Sequence, residues 1–195
     1  MSSSGLRERK KQKTRWLIQE HALRLFTEQG YDATTVEQIA AAAEISPSTF
    51  FRYFATKEDV VLDDEYDPML AGAVAAAPAE LGPIDALRHA VRTTMSNLPD
   101  ADRDKILFRS RLQNSVPALR ARLLDGLIGN IKLISTAIAP RIGRPDDDLE
   151  VQIMAGACVG AMLPALFAWV DSNGTLDLTT VVDNALEKVG RGFTP

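Results

Sequence analysis

The sequence predicts an all-α protein, and three observations carry the prediction. Apolar residues recur at helical spacing through almost every stretch between the glycine and proline breaks. Strand-like alternation is nearly absent. Residues 34–57 hold two short helices, each with its own start signal, separated by a very tight connection. At 195 residues the chain is long enough for one large or two small domains with a real core.

Taken in order, the first helix begins near Lys11 and ends before Gly30, a residue suited to a left-handed C-cap. Thr34 or Thr35 can cap the next helix, with Glu37 or Gln38 three residues on to close a capping box. Val36, Ile39, Ala40 and Ala43 then form one apolar stripe. Ser46 as N-cap and Pro47 at the first helical position announce the third helix. Only Glu44 and Ile45 lie between, so the two helices must cross steeply, as in a helix-turn-helix. A helical hairpin inside an ordinary core has the same spacing. Thr56 and Asp59 make another capping box, opening a fourth helix expected to run through Asp63-Asp64-Glu65 to about Ala76. Beyond the connection at Ala75 to Pro83, helices are expected at about 83–97, 100–113, 116–139, 147–172 and 178–191. The breaks fall at Pro99, Pro117, Pro140 to Pro145 and Asn173-Gly174.

Charge divides along the chain. Residues 1–57 carry nine Lys/Arg against six Asp/Glu, or +3, and the remainder thirteen against twenty, or −7. The positive charge concentrates in Arg7, Arg9, Lys10, Lys11, Lys13 and Arg15, opposed only by Glu8. Such a run can be a solvated tail, or a basic arm reaching phosphates or the minor groove. The single cysteine, Cys158, excludes an intrachain disulfide and any multi-cysteine metal site, and the N-terminus lacks a signal-peptide run. A cytoplasmic location is expected. No metal-spaced cluster or phosphate-binding glycine loop is present, the two histidines lie in different presumptive domains, and no cofactor is expected.

Residues 151–170 contain one polar side chain, Gln152, and have the length of a membrane span. Both flanks are acidic and no Lys or Arg adjoins the run, which favours a helix buried on every side in a soluble protein. Gly156 and Gly160, one turn apart, would let another helix approach closely.

Residues 14–57 resemble the N-terminal domain of the TetR (tetracycline repressor-like) transcriptional regulators. The resemblance rests on Ile18, Ala22, Leu25 and Phe26 with Gly30-Tyr31, on Thr34-Thr35-Val36 with Ile39-Ala40, and on Ser46-Pro47-Ser48-Thr49-Phe50-Phe51 with Tyr53-Phe54 and Lys57-Glu58. It implies a DNA-binding domain over residues 1–57 and a helical effector-binding and dimerisation domain over 58–195. The DNA contacts it implies are Thr35, Ser46, Pro47, Ser48, Thr49, Phe51, Arg52, Tyr53 and Lys57, acting on a palindromic double-stranded operator. It further implies a homodimer through the last two long helices, and a small-molecule effector that releases the repressor. Two positions depart from the family pattern. Glu44 stands where the turn usually has glycine, placing a residue with a Cβ near φ > 0 at a cost of about 1 kcal/mol. Phe51 replaces the frequent tyrosine, exchanging a phosphate-binding hydroxyl for an apolar ring that suits a thymine methyl or a sugar.

Candidate effector contacts are Met95, Phe108, Leu112, Ile128, Ile131, Met154 and Trp169, large apolar residues on helices expected to face one another, with Arg109 and Arg111 near the mouth. The same residues could simply fill a core. An apolar tunnel with arginines near its mouth suits an elongated ligand with an anionic head, and the arrangement resembles family members that sense acyl-CoA thioesters. Two other classes stand beside the repressor. A sequence-indifferent architectural DNA binder is disfavoured by the low positive charge, and a small helical enzyme by the lack of any catalytic cluster.

Overall fold

A computed structural model describes residues 3–63 and 67–192, and among these there is no strand. Among the described residues eleven helices follow one another: α1 (Ser3–Gln29), α2 (Val36–Ala42), α3 (Pro47–Tyr53), α4 (Lys57–Leu62), α5 (Asp67–Ala76), α6 (Pro83–Met95), α7 (Asp100–Ser115), α8 (Pro117–Arg120), α9 (Leu123–Ile142), α10 (Leu149–Asp171) and α11 (Leu178–Arg191).

Three of the expected boundaries shift. Helix α1 starts at Ser3 rather than near Lys11, because the basic run is made of Lys, Arg, Gln and Glu, all good helix formers. The single helix expected over 56–76 is two. Helix α4 ends at Leu62, where Asp63 is extended (φ −71, ψ 118), and α5 begins at Asp67. The Asp64-Glu65 part of that expectation lies outside the described residues. The stretch 116–139 also divides, into α8 and an α9 that continues past Pro140 to Ile142, where Gly143 at φ +71 ends it.

The helices form two compact units. The first takes in residues 1–65 and 112–121. Helices α1, α2, α3 and α4 contribute its buried residues: Ile18, Ala22 and Phe26; Ile39 and Ala40; Phe50; Val60 and Val61. Helix α8 packs on α4, and its Leu119 is fully buried.

Residues 66–111 and 122–195 make the second unit, in which α10 packs between α9 and α11, and α6 lies against α11, α5 and α9. Its core holds Leu87 and Val91 of α6, Ile134 and Ile138 of α9, Val151, Ala155 and Val159 of α10, and Val182 and Leu186 of α11. Arg88 joins α6 to α11 through Asp183 (2.9 Å) and Glu187 (3.1 Å). Arg141 of α9 donates to the carbonyls of Val74, Ala77, Pro78 and Leu81 at 2.6 to 3.2 Å, satisfying the last turn of α5.

Helix α10 was expected to be buried on all sides, and it is not. Leu149, Ile153, Ala157, Gly160, Pro164 and Ala168 form an exposed apolar stripe along its length. Gly156 is turned towards α9, where an added Cβ would meet Ile131 at 3.8 Å, whereas one at Gly160 would meet nothing within 4 Å.

Candidate nucleic-acid interface

The turn between α2 and α3 is built from local chemistry. Thr35 caps α2, its hydroxyl accepting from the Gln38 N–H (3.2 Å) while Gln38 Oε1 accepts from the Thr35 N–H (2.9 Å). Thr34 is instead buried, its hydroxyl donating to the Gly30 carbonyl at 2.7 Å. At the other end of α2, the N–H of Ile45 reaches the Ala40 carbonyl (2.9 Å) and that of Glu44 reaches Ala41 (3.1 Å). This is the Schellman pairing, and it requires a left-handed residue at Glu44, which sits at φ +55 where the family resemblance implies it. Ser46 then caps α3, accepting from the Thr49 N–H at 3.1 Å. Its hydroxyl also lies 2.9 Å from those of Ser48 and Thr49, so three hydroxyls cluster at the start of α3.

Helix α3 has a sharply divided surface. Phe50 and the following Phe54 are buried, whereas Pro47, Ser48, Phe51 and Arg52 are exposed. These four positions fall at i, i+1, i+4 and i+5, on one face of the helix. Of the other expected contacts, Thr49 and Tyr53 are half-buried, and Ser46 and Thr35 are exposed. The outward face therefore presents hydroxyls, a guanidinium and one bare aromatic ring, the donors and apolar surface that major-groove edges match.

Two clamps tie the helices of this unit together, one at the end of α3 and one at the α1–α2 loop, and neither could be seen in the sequence. Arg15 of α1 forks onto Asp63 (2.6 and 2.7 Å), donates to the Tyr53 carbonyl at the end of α3 (3.0 Å), and lies 4.3 Å above the Phe54 ring. Gln19 adds donation to the Val60 and Asp63 carbonyls at 3.2 and 2.9 Å. One member of the basic run thus works inside the domain. Residues 48 positions apart cannot be paired from local pattern.

The second clamp is at Lys57. Its ammonium donates to the carbonyls of Tyr31 (2.9 Å) and Thr34 (3.1 Å) and sits 4.3 Å from the Tyr31 ring. Tyr31 in turn donates its hydroxyl to Glu58 at 2.7 Å. Burial alone would raise the Glu58 carboxyl. The Tyr31 bond, the Glu58 N–H, the Thr56 hydroxyl and the Lys57 charge together hold it below the usual range. Lys57 is thus first a fastener of the α1–α2 loop, with one remaining ammonium proton to offer elsewhere.

The candidate effector residues are not gathered into one wall. Met95, Ile131 and Met154 are half-buried against the core of the second unit. Trp169 is buried and, with Leu107 and Leu178, floors a cleft of about 230 Å³ rimmed by Asp100, Arg103, Asp104 and Asn173. That is below the usual size of a ligand pocket, roughly 300 Å³ or more. Phe108 is half-buried, Arg109 is buried, and Arg111 pairs with Asn173. Leu112 belongs to the first unit, and Ile128 is 58 % exposed. The break expected at Asn173-Gly174 is the turn beside the cleft; its close approach to α7 was not legible, for at Gly174 (φ +77) an added Cβ would come within 2.9 Å of Leu107.

Comparisons with known proteins fall in line with this arrangement. The profile of bacterial regulatory proteins of the tetR family matches residues 18–63, and the one described as the MftR C-terminal domain matches residues 81–194. The HTH-type transcriptional regulator TcmR of Streptomyces glaucescens is 39 % identical over 151 residues, covering 74 % of this chain and 67 % of its own. The putative mycofactocin biosynthesis transcriptional regulator MftR of Mycobacterium tuberculosis is 27 % identical, covering 90 % and 89 %. Among solved structures, Thermus thermophilus FadR, a transcriptional repressor in complex with lauroyl-CoA, superposes with a TM-score of 0.60 at 24 % identity, covering 93 % of this chain and 95 % of its own. That last likeness is one of fold.

Proposed function

This chain belongs to the TetR family of bacterial transcriptional regulators, and from that membership we propose that it is a dimeric repressor released from a palindromic operator by a small apolar or amphipathic effector. The observation that carries the reading is the division of α3, with its packing residues turned inward and Pro47, Ser48, Phe51 and Arg52 left outward on a helix clamped at its end by Arg15. The contacts proposed to reach DNA are those four together with Thr35, Ser46, Thr49 and Tyr53, and the last ammonium proton of Lys57.

One recognition helix covers only a half-site, so the operator needs two copies with half-sites about 34 Å apart. The apolar stripe on α10 suits a second copy of the same helix, because its small residues permit close approach and its exposed area would otherwise remain in water. A regulator of this kind works in the cytoplasm, where its DNA is.

The effector is proposed to bind within the helical C-terminal unit and to favour the state that does not bind DNA. Its differential affinity for the two states limits the response. An acyl-CoA is the first ligand to test, because the T. thermophilus repressor of similar fold holds lauroyl-CoA; to meet its anionic head, Arg109 would have to leave its buried position on α7 and Arg111 its bond to Asn173.

The deciding experiment is fluorescence anisotropy with labelled duplexes from the region upstream of the protein's own gene, with and without competitor DNA. A repressor binds one duplex at least a thousandfold more tightly than competitor, on the scale usual for specific sites, about 10³ or more. Equal affinity for all duplexes would refute the reading. Acyl-CoAs of increasing chain length are then added, and no release across the series would remove that effector class.

A further inference from the structure

We propose that Phe51 is a base-selecting residue of this protein, and that it selects a thymine by its C5-methyl group at one fixed position in each half-site. The inference rests on the DNA-binding reading above and specifies what α3 reads.

Phe51 is an anomaly on its helix. The ring is 53 % exposed, while the neighbouring Phe50 and Phe54 are at 0 % and 2 %. It is not a loose side chain. Phe51 packs edge-on against Phe50, centroids 5.6 Å apart and planes at 87°, and Phe50 is itself set against Phe54 at 5.9 Å. The buried aromatic pair therefore aims the third ring outward. One turn earlier Pro47 is also exposed and has neither a side-chain donor nor a backbone N–H. Pro47 and Phe51 form an apolar strip along one half of the outward face, while Ser48 and Arg52 form a hydrogen-bonding strip along the other.

The apolar strip limits what it can recognise. A ring without a hydroxyl gains nothing from a phosphate oxygen, and it would strip water from the N7, O6 or N4 group of a base without replacing the lost hydrogen bond. The apolar group that the major groove offers is the thymine methyl. Arg52, on the same face and about one residue further round, has the fork that pairs with guanine O6 and N7. Face geometry alone places the methyl-reading and hydrogen-bonding strips side by side, so adjacent or near-adjacent base pairs are read by different chemistry.

The test starts from a random-sequence duplex pool, from which the wild-type protein selects its own preferred duplex. That duplex is resynthesised with each thymine in turn replaced by deoxyuridine, a change that removes one methyl and nothing else. At one thymine position per half-site, the replacement should weaken wild-type binding about fourfold, the equivalent of one buried methyl, and about fifteenfold when both half-sites are changed. Phe51→Ala should bind the thymine duplex more weakly and be indifferent to deoxyuridine at that position, while Phe51→Tyr, which keeps the ring, should retain the sensitivity. The wild-type scan decides the matter even if a variant folds poorly. A selected duplex in which no thymine methyl matters to the wild type would overturn the proposal and leave the DNA-binding reading standing. So would a deoxyuridine effect equal in wild type and Phe51→Ala. If no duplex is enriched, the DNA-binding reading itself falls, and this inference with it.

Discussion

Arg15 lies in the most basic stretch of the chain, and its variants separate two explanations of that charge. As a phosphate contact it would need only its charge; as a clamp it needs its fork. The guanidinium serves three acceptors, two carboxylate oxygens of Asp63 at 2.6 and 2.7 Å and the Tyr53 carbonyl at 3.0 Å. Side-chain exposures of 27 % and 30 % put the pair between surface and interior. Exposed pairs contribute about 0.2–1 kcal/mol, and hydrogen bonds to charged groups about 1.5–3 kcal/mol. A lysine at this position keeps the charge but cannot meet a carboxylate bidentately. Arg15→Lys should therefore destabilise the protein by about 2 kcal/mol, which at a urea slope of about 2 kcal/mol/M lowers the midpoint by about 1 M. Arg15→Met should cost about 3 kcal/mol, since it also leaves the Tyr53 carbonyl and the Asp63 carboxylate without that partner. Neither change should alter the slope of log affinity against log salt. Circular dichroism in urea and anisotropy titrations at several salt concentrations measure both quantities. An unchanged midpoint for Arg15→Met, together with a salt slope reduced by about 0.9, would refute the clamp and make Arg15 a phosphate contact.

Other changes address separate parts of the molecule. Glu44→Gly relieves a left-handed backbone position and should raise stability by about 0.5–1 kcal/mol in the same urea assay without changing operator affinity; a loss of stability would contradict the strain seen at φ +55. Deleting residues 1–10 removes Arg7, Arg9 and Lys10 against Glu8, and should weaken DNA binding and flatten its salt dependence while the melting temperature holds. Gly160→Leu adds a side chain that meets no atom of its own chain within 4 Å of its Cβ, so a monomer in sedimentation with normal helix content is expected; a dimer of normal stability would move the interface to other helices. Burial pushes the Cys158 thiol up to about 11, and a thiol reagent at pH 8 should leave it untouched until the protein is unfolded.

What could be read in advance divides by distance along the chain. The capping boxes at Thr35 and Thr56 and the Ser46-Pro47 start depend on residues within about five positions of one another, and each stands where the sequence pattern puts it; the left-handed Glu44 stands where the family resemblance implied it. The end of α4 was illegible, because Leu62-Asp63-Asp64 contains no breaker; Asp63 leaves the helix where it is held by Arg15 and Gln19 from α1. Lys57 shows the same limit. Its place in the motif implied a DNA contact; that two of its hydrogen bonds run to a loop 23 and 26 residues away could not be read from that place. Effector residues chosen as large apolar side chains on neighbouring helices scattered, with Ile128 in solvent and Trp169 in the interior, because hydrophobic size does not tell a core wall from an open face.

The division of α3 has an engineering consequence. Two helices of seven residues have little stability alone, so the orientation of α3 comes from Phe50, Phe54 and the Arg15 bond to Tyr53, all on its inner side or at its end. Positions 47, 48, 51 and 52 carry little of that burden beyond the place of Pro47 at the helix start and the contact of Phe51 with Phe50. They can be exchanged in combination, as a library of reading heads on a constant mount, and variants that prefer new sequences should melt close to the parent.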